Sequence, residues 1–386
     1  MRLRYSPEEE TFRAEVRGWM EANVPSSPLP SFDASREGFE AHRAWERTLN
    51  QGRWSMVTWP EDYGGRGLDL IGWLIFEEEY WRAGAPQRVN QNGIFLLGPT
   101  LMEFGTAEQK ARFLPRMASG DEVWAQAWSE PQAGSDLAAV RASATRDGDD
   151  YVLSGHKIWS SRAVFADWAF GLFRTDPGAE RHKGLSLILF PLTAPGIRVQ
   201  PIAQIDGETG FAEIFLDDVR VPAFNRLGED GDGWRICMAT AGFERGLMLR
   251  SPARFQQAAK RLVELYRAHQ QECGPETEAA VLQSFMDAEA YALSIYETAS
   301  RLRAGGAIGA EASTSKVFWS ELDVALHRTA LSILGTRAEL LRAAPEAGDA
   351  GRWLDGYLFA LAGPIYAGAN EIQKNIIAER VLGLPR

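Results

Sequence analysis

Two segments of this chain hold the residue types that a flat heteroaromatic ligand needs. Gln126-Ala-Trp-Ser-Glu-Pro-Gln-Ala-Gly-Ser-Asp136 leaves a strand-like run and ends in a Gly-Ser-Asp turn. Its small residues let backbone approach a planar group closely, and Ser129 and Ser135 offer hydroxyls to a ring edge. Gly155-His-Lys-Ile-Trp-Ser-Ser161 sets an aromatic wall beside two more hydroxyls. That pairing suits the face and edge of a heteroaromatic ring. Each segment also has a plain structural reading. The first reads equally as a hairpin connection with a buried Trp, the second as a strand whose Trp packs into a sheet. Metal and disulfide chemistry fit poorly: Cys237 and Cys273 are far apart without a partner motif. His42, His156, His182, His269 and His327 show no ligand spacing and read as surface or packing residues.

The elements that must position these segments fall in the order helical, β, helical. Ser6 before Pro7-Glu8-Glu9-Glu10 is a helix start, with a serine N-cap, proline in the first turn and acids at the positive end of the dipole. Phe12, Val16, Trp19 and Met20 then recur at helical spacing. Pro25 to Pro30 breaks the pattern, a second helix is predicted over 39–52, and the glycine-rich 60–67 reads as a turn. Segments 70–80 and 110–117 are again helical. From about Asp121 the texture changes. Tyr151, Leu153 and Trp159 sit near short β-type runs, and those at 168–173, 185–190, 197–202 and 211–216 are rich in Val, Ile, Leu and Phe and bounded by Gly, Pro and Asp, as strands are. Asp147-Gly148-Asp149-Asp150 is a hairpin turn between two of them. After Gly233 the helical period returns through Ile236, Thr240, Phe243 and Leu247, and continues to about His269, over 276–302, 313–334 and 370–382.

The 386 residues carry a formal net charge of -11, which sets the surface against nucleic-acid phosphates. Their 45% hydrophobic and 24% charged content is ordinary for a globular protein. No stretch approaches the roughly 18 apolar residues that span a bilayer. Met1 to Glu10 is polar, without the apolar core of a signal peptide, so a cytoplasmic location is expected.

In this order and spacing the two segments resemble the flavin-binding motifs of the acyl-CoA dehydrogenase family. A third motif agrees: Ile365-Tyr-Ala-Gly-Ala-Asn-Glu-Ile-Gln-Lys374, followed by Ile376 to Arg386. Trp59-Pro-Glu-Asp-Tyr-Gly-Gly65 and Phe104-Gly-Thr-Ala-Glu-Gln-Lys110 extend the likeness over nearly the whole chain. The resemblance implies an α+β multi-domain fold. An N-terminal α-helical domain would span 1–121, a middle β-barrel or sandwich domain 122–232, and a C-terminal four-helix bundle 233–386. It implies FAD as cofactor, in the cleft between the β domain and the bundle. Gln126, Trp128, Ser129, Gly134 and Ser135 would contact it from the first motif, Trp159, Ser160 and Ser161 from the second, and Gly368 and Gln373 from the third. Ser129 would bond the flavin edge, and Trp159 would pack beside the ring.

The family reaction removes a proton from Cα and a hydride from Cβ of an acyl-CoA thioester. A weakly acidic proton needs a carboxylate base and hydrogen bonds to the thioester oxygen. Many members carry the base after the tyrosine of the third motif, where this chain has Ala367. Others carry it on the helix opening the C-terminal domain, immediately before an arginine, and Glu244-Arg245 matches that pattern. Glu244 is therefore the expected base, with Arg245 beside it. Its plain reading is a helix-surface ion pair, but neighbours in sequence do not face each other on a helix. Ala367 keeps a substrate role, since its backbone N–H stands where the family donates to the thioester oxygen. Gly368 permits close approach, and Asn370 with Gln373 reads as a capping-box-like start to the last helix. Gly242, Gly246, Ala367 and Ala369 leave room for a bulky or branched acyl group.

Two further departures bear on assembly. The family's Arg-x-x-Phe-Gly segment, which reaches a neighbouring subunit's FAD, is replaced by Gln271-Glu-Cys-Gly-Pro-Glu276, and Ser332 stands where a Gln is expected before Gly335. The pattern resembles subunits of bacterial dehydrogenases for steroid side chains or dicarboxylic acyl chains, several of which are α2β2 hetero-oligomers. The expected partners are thus acyl-CoA, an electron-transfer flavoprotein, and either further copies of this chain or a second, related chain. An oxygen-using oxidase and a non-catalytic structural subunit are the alternative readings.

Overall fold

The computed structural model describes residues 4–245, 250–342, 344–347 and 350–385, with the side chains of Phe243, Glu244, Arg245 and Ala350 outside the description. The helices in chain order are α1 (Pro7–Asn23), α2 (Arg36–Gln51), α3 (Leu70–Arg82), α4 (Gly98–Phe104), α5 (Ala107–Ala118), α6 (Gly233–Arg245), α7 (Pro252–His269), α8 (Pro275–Arg303), α9 (Ala312–Leu334), α10 (Ala350–Ala360) and α11 (Asn370–Ile376). The strands are β1 (Trp124–Ala127), β2 (Ser143–Asp147), β3 (Asp150–Ser161), β4 (Trp168–Arg174), β5 (Leu185–Pro191), β6 (Ile197–Ile202), β7 (Phe211–Pro222) and β8 (Arg226–Leu227). They belong to two compact units, one of 25–68 and 86–244, the other of 1–24, 69–85 and 245–386.

In the first unit the strands form one sheet in the order β6-β7-β3-β2-β4-β5-β8, with β1 added parallel to β4. β2 and β3 pair as the hairpin that the Asp-Gly turn predicts, closing at Asp147 opposite Asp150. The order has two free ends, so among the described residues the sheet is open, not the closed barrel that was one of the two expected forms. Val123, Ala125, Ala127, Leu153, Ala169, Phe173, Ile188, Phe190 and Ile214 fill its core, joined by Phe32 and Phe39 from the segment around α2. α2 starts at Arg36 rather than at residue 39, because Ser35 caps it by accepting from the N–H of Gly38. A helical stretch through Asn92–Leu97 and α4, not anticipated from the sequence, packs there too. Gly98 lies so close to Trp59 that a Cβ would meet the indole at 2.0 Å.

In the second unit α7, α8, α9 and α10 form the helical bundle, and α11 packs on α9. α10 was not anticipated either. Trp319, Leu322, Leu326, Ala330 and Ile333 form the buried stripe of α9, which packs on α7 and α8, with Trp319 against Phe255. Asp323 at its centre accepts from Arg254 at 2.8 Å. α1 carries the predicted N-cap as a full capping box, Ser6 with Glu9. Arg303, near the end of α8, bonds both Glu9 and Asp69, the N-cap of α3. No described helix is long and apolar enough to cross a membrane.

Candidate active site

The first motif starts on β1, which is held at its entry by one buried amide. Asn90 accepts from the N–H of Trp124 at 3.0 Å and donates to the carbonyls of Met117 and Glu122 at 2.9 and 3.1 Å. Gln126 lies mid-strand opposite Phe170. Trp128 follows, buried edge-on to Phe170, and its indole N–H has no partner among the described residues. The chain then turns: Ser129 is partly exposed, Gly134 and Ser135 are exposed, and a Cβ at Gly134 would meet nothing within 4 Å.

Glu130 is what shapes that turn. It is buried, and its carboxylate accepts from Ala142 N–H at 2.9 Å, Arg141 N–H at 2.7 Å, the Gln132 amide at 2.7 Å and the Lys157 ammonium at 2.8 Å. Burial alone would raise its carboxyl, but Lys157 and the two backbone N–H groups hold it below the usual carboxylate range. Lys157 is fully buried on β3 and also donates to the carbonyls of Leu172 at 2.5 Å and Trp128 at 3.4 Å. The ion pair thus ties the first motif to the second. Neither residue was given a role from the sequence, although both lie inside the quoted motifs. The signal available was one acid and one base of opposite charge, one in each motif.

The second motif runs along β3 and departs from regular pairing. Gly155 follows one register shift and has φ of 148°, where Ala142 packs so close that a Cβ would meet it at 2.5 Å. A second shift lies between Lys157 and Ser160. Within it Trp159 takes a left-handed φ of 60°, costly for a bulky residue, and the residue is 57% exposed with Phe211 edge-on against its ring. A bulge of this kind re-aims a side chain that would otherwise follow the strand's alternation. Ser160 is fully buried, and its hydroxyl has no partner among the described residues. Ser161 is partly exposed. An indole presented to solvent, with partnerless indole N–H and hydroxyl groups in the same two motifs, is the chemistry of a site for a planar ring with a polar edge. These residues fit FAD.

Glu244 and Arg245 close α6, and their backbone is helical. Their side chains, that of Phe243, and Gly246 and Leu247 lie outside the described residues. α6 itself is fixed by Thr240, buried, whose hydroxyl meets that of Thr100 at 2.9 Å. Gly242 is exposed.

The third motif belongs to the helical unit. Ala367 and Gly368 take left-handed φ of 57° and 81° in succession. Asn370 does not cap α11 as expected. Ala369 is the N-cap and makes no side-chain cap, while the Asn370 side chain turns to α9 and accepts from Lys316 at 2.7 Å and Ser320 at 3.2 Å. A buried ammonium is the stronger donor, so it takes the amide that would otherwise cap the helix. Gln373 is buried, donates to the Gly368 carbonyl at 3.4 Å, and leaves its amide oxygen without a partner among the described residues. Cys237 and Cys273 are free thiols, the first buried.

Three family models of acyl-CoA dehydrogenase match the chain in succession: the N-terminal domain over 6–121, the middle domain over 125–219 and the C-terminal domain over 231–382. Acyl-CoA dehydrogenase IpdE1 of Mycobacterium tuberculosis is 42% identical over 98% of both chains. The solved Tcur3481-Tcur3483 steroid ACAD has a TM-score of 0.89 at 30% identity, covering 100% of each chain. The ChsE4-ChsE5 complex from Mycobacterium tuberculosis has a TM-score of 0.84 at 34% identity, again covering 100% of each.

Proposed function

The chain belongs to the acyl-CoA dehydrogenase family, a family of flavoprotein oxidoreductases, and from that premise we propose that it converts an acyl-CoA thioester to the 2-enoyl-CoA with FAD as cofactor. The observation that carries the reading is Trp159, turned out of its strand at a left-handed φ beside the buried hydroxyl of Ser160. Gln126, Trp128, Ser129, Gly134, Ser135, Trp159, Ser160 and Ser161 hold the flavin, joined by Gly368 and Gln373. When bound, FAD supplies the acceptor for the hydride from Cβ.

The chain's own residues do the rest. Glu244 takes the proton from Cα, with Arg245 beside it. The N–H of Ala367 donates to the thioester oxygen and stabilises the negative charge that develops there. Electrons leave to an electron-transfer flavoprotein. The acyl group is a bulky one of the steroid side-chain class, a reading supported by the steroid ACAD among the relatives and by the small residues Gly242, Ala367 and Ala369. The domain boundaries stay at 121/122 and 232/233, and the enzyme works in the cytoplasm.

The assembly proposed is a hetero-oligomer with a second chain of the family. That chain supplies the arginine missing from 271–276. Two of the solved relatives are two-chain complexes. Leu282, Phe285, Met286 and Leu293 form an exposed apolar stripe on α8, of the kind that marks a subunit contact.

The test is single-turnover bleaching of the flavin by an accepted acyl-CoA, with and without the partner chain. Glu244→Gln keeps shape and hydrogen bonding but accepts no proton. Flavin is expected to stay bound while its reduction slows by about 10²- to 10⁴-fold. Equal rates would remove Glu244 from the mechanism, and oxygen uptake without added acceptor would mark an oxidase. A complex that never takes up flavin would overturn the whole reading.

A further inference from the structure

Between α10 and α11 the chain makes a turn from Gly363 to Ala369 in which Ala367 and Gly368 are both left-handed. For an alanine this costs about 1–2 kcal/mol, so the surroundings must impose it. The N–H groups of Ala367 and Gly368 make no hydrogen bond to any described residue. Successive N–H groups in turn conformations form concavities that bind negative charge.

What imposes the turn is Lys316 of α9. Its side chain is buried. Its ammonium donates to the carbonyl of Gly363 at 3.0 Å, where the turn begins, and to the side chain of Asn370 at 2.7 Å, where it ends. Asn370 in turn donates its backbone N–H to Pro364 at 2.8 Å. One ammonium therefore fixes both ends of the segment that carries the free N–H groups. Taking an ammonium out of water is costly, and a neutral donor would close the same turn. The charge is explained if the turn works against a developing negative charge, where a fixed positive charge nearby adds to the dipoles of the N–H groups.

We infer that Lys316 is a positioning residue for the oxyanion site. It holds Ala367 and Gly368 in the geometry that polarises the thioester carbonyl, and contributes its charge to that site. The inference rests on the thioester reading proposed above. The readout is the carbonyl stretch of the [1-¹³C]-labelled 2-enoyl-CoA product of an acyl-CoA that the wild-type holoenzyme oxidises, measured by isotope-edited infrared spectroscopy. The wild-type complex is expected to lower that frequency relative to free product.

Lys316→Met should lose most of the lowering and slow flavin reduction by about 10- to 100-fold, with product affinity changed by no more than about threefold. Lys316→Gln, which keeps a donor without the charge, should fall between. A lowered frequency and reduction rate that survive in both variants overturn the inference while leaving the thioester reading intact. If neither variant folds but Lys316→Arg does and matches wild type only in stability, the residue is structural and the inference fails. Absence of any lowering in wild type itself would instead refute the role proposed for Ala367.

Discussion

The buried pair Lys157–Glu130 gives the sharpest test of how the flavin motifs are held together. Lys157→Met keeps an unbranched apolar stem as far as the ε position and removes the ammonium. Glu130 is then left buried with three donors in place of four, since Arg141, Ala142 and Gln132 remain. Removing one partner of a buried pair costs about 3–5 kcal/mol because the other charge is stranded. The surviving backbone donors place this case at the lower end, about 3 kcal/mol. The carbonyls of Leu172 and Trp128 also lose their donor, so the turn after Trp128 should loosen and FAD retention should fall.

The assay is urea unfolding of the flavin-loaded protein, followed by tryptophan fluorescence and flavin release, for wild type, both single variants and Lys157→Met/Glu130→Gln. The double variant strands no charge and should recover part of the loss, giving a coupling of about 1–3 kcal/mol. The sign with pH is fixed by the lowered Glu130 carboxyl. Its contribution is complete above the value of an unfolded glutamate, about 4.3, and disappears as pH falls through the lower folded value. The gap between wild type and Lys157→Met should therefore narrow below about pH 4. A loss under about 1 kcal/mol with unchanged FAD retention, or strictly additive variants, would refute the argument.

Two other sites respond to pH and to reagents in predictable ways. Burial pushes the Glu78 carboxyl up to about 7 despite the Arg13 guanidinium at 2.5 Å, and Tyr296 also bonds it. A raised carboxyl stabilises the fold at low pH and loses that stability as pH rises from about 4.3 toward 7. Glu78→Gln cannot ionise, so its melting temperature should improve relative to wild type between pH 5 and pH 8, and a constant difference would sink the idea. Burial also pushes the Cys237 thiol upward, whereas Cys273 is partly exposed. A colorimetric disulfide reagent should label Cys273 quickly and Cys237 only on unfolding; rapid labelling of both in the native protein would contradict the packing of α6.

The parts of the fold readable in the sequence are those where local chemistry and tertiary packing agree. Ser6 caps α1 as predicted, with Glu9 completing a capping box, and the Asp-Gly turn at 147–150 set the β2–β3 hairpin. The helix predicted from 110 begins at Ala107 because Thr106 and Gln109 form a capping box, a signal present within the quoted motif. α10 stayed hidden because Gly351 and Gly356 weaken its helical pattern. Their value is tertiary: at Gly356 a Cβ would meet the His327 ring at 2.3 Å, so glycine is kept for close approach to α9. The strand order of the open sheet was equally hidden, since it depends on pairings that no local run encodes.

The site divides along a similar line. Trp128, Ser129, Trp159 and Ser160 could be proposed from the sequence because a ring-binding surface is built from side chains, and side-chain types are what a sequence displays. The role proposed for the third motif is one of backbone. Ala367 has nothing to offer as a residue type, and it was placed only through family resemblance. Its left-handed φ and its free N–H exist because Lys316, 51 positions upstream, reaches both ends of the turn. A lysine in an apolar helix face reads locally as a solvent-exposed charge. Only the fold brings it to Gly363 and Asn370, and only there does an ammonium become a means of shaping backbone. A site whose donors are peptide groups is therefore written in the residues that bend the chain, at positions remote from the motif that it serves.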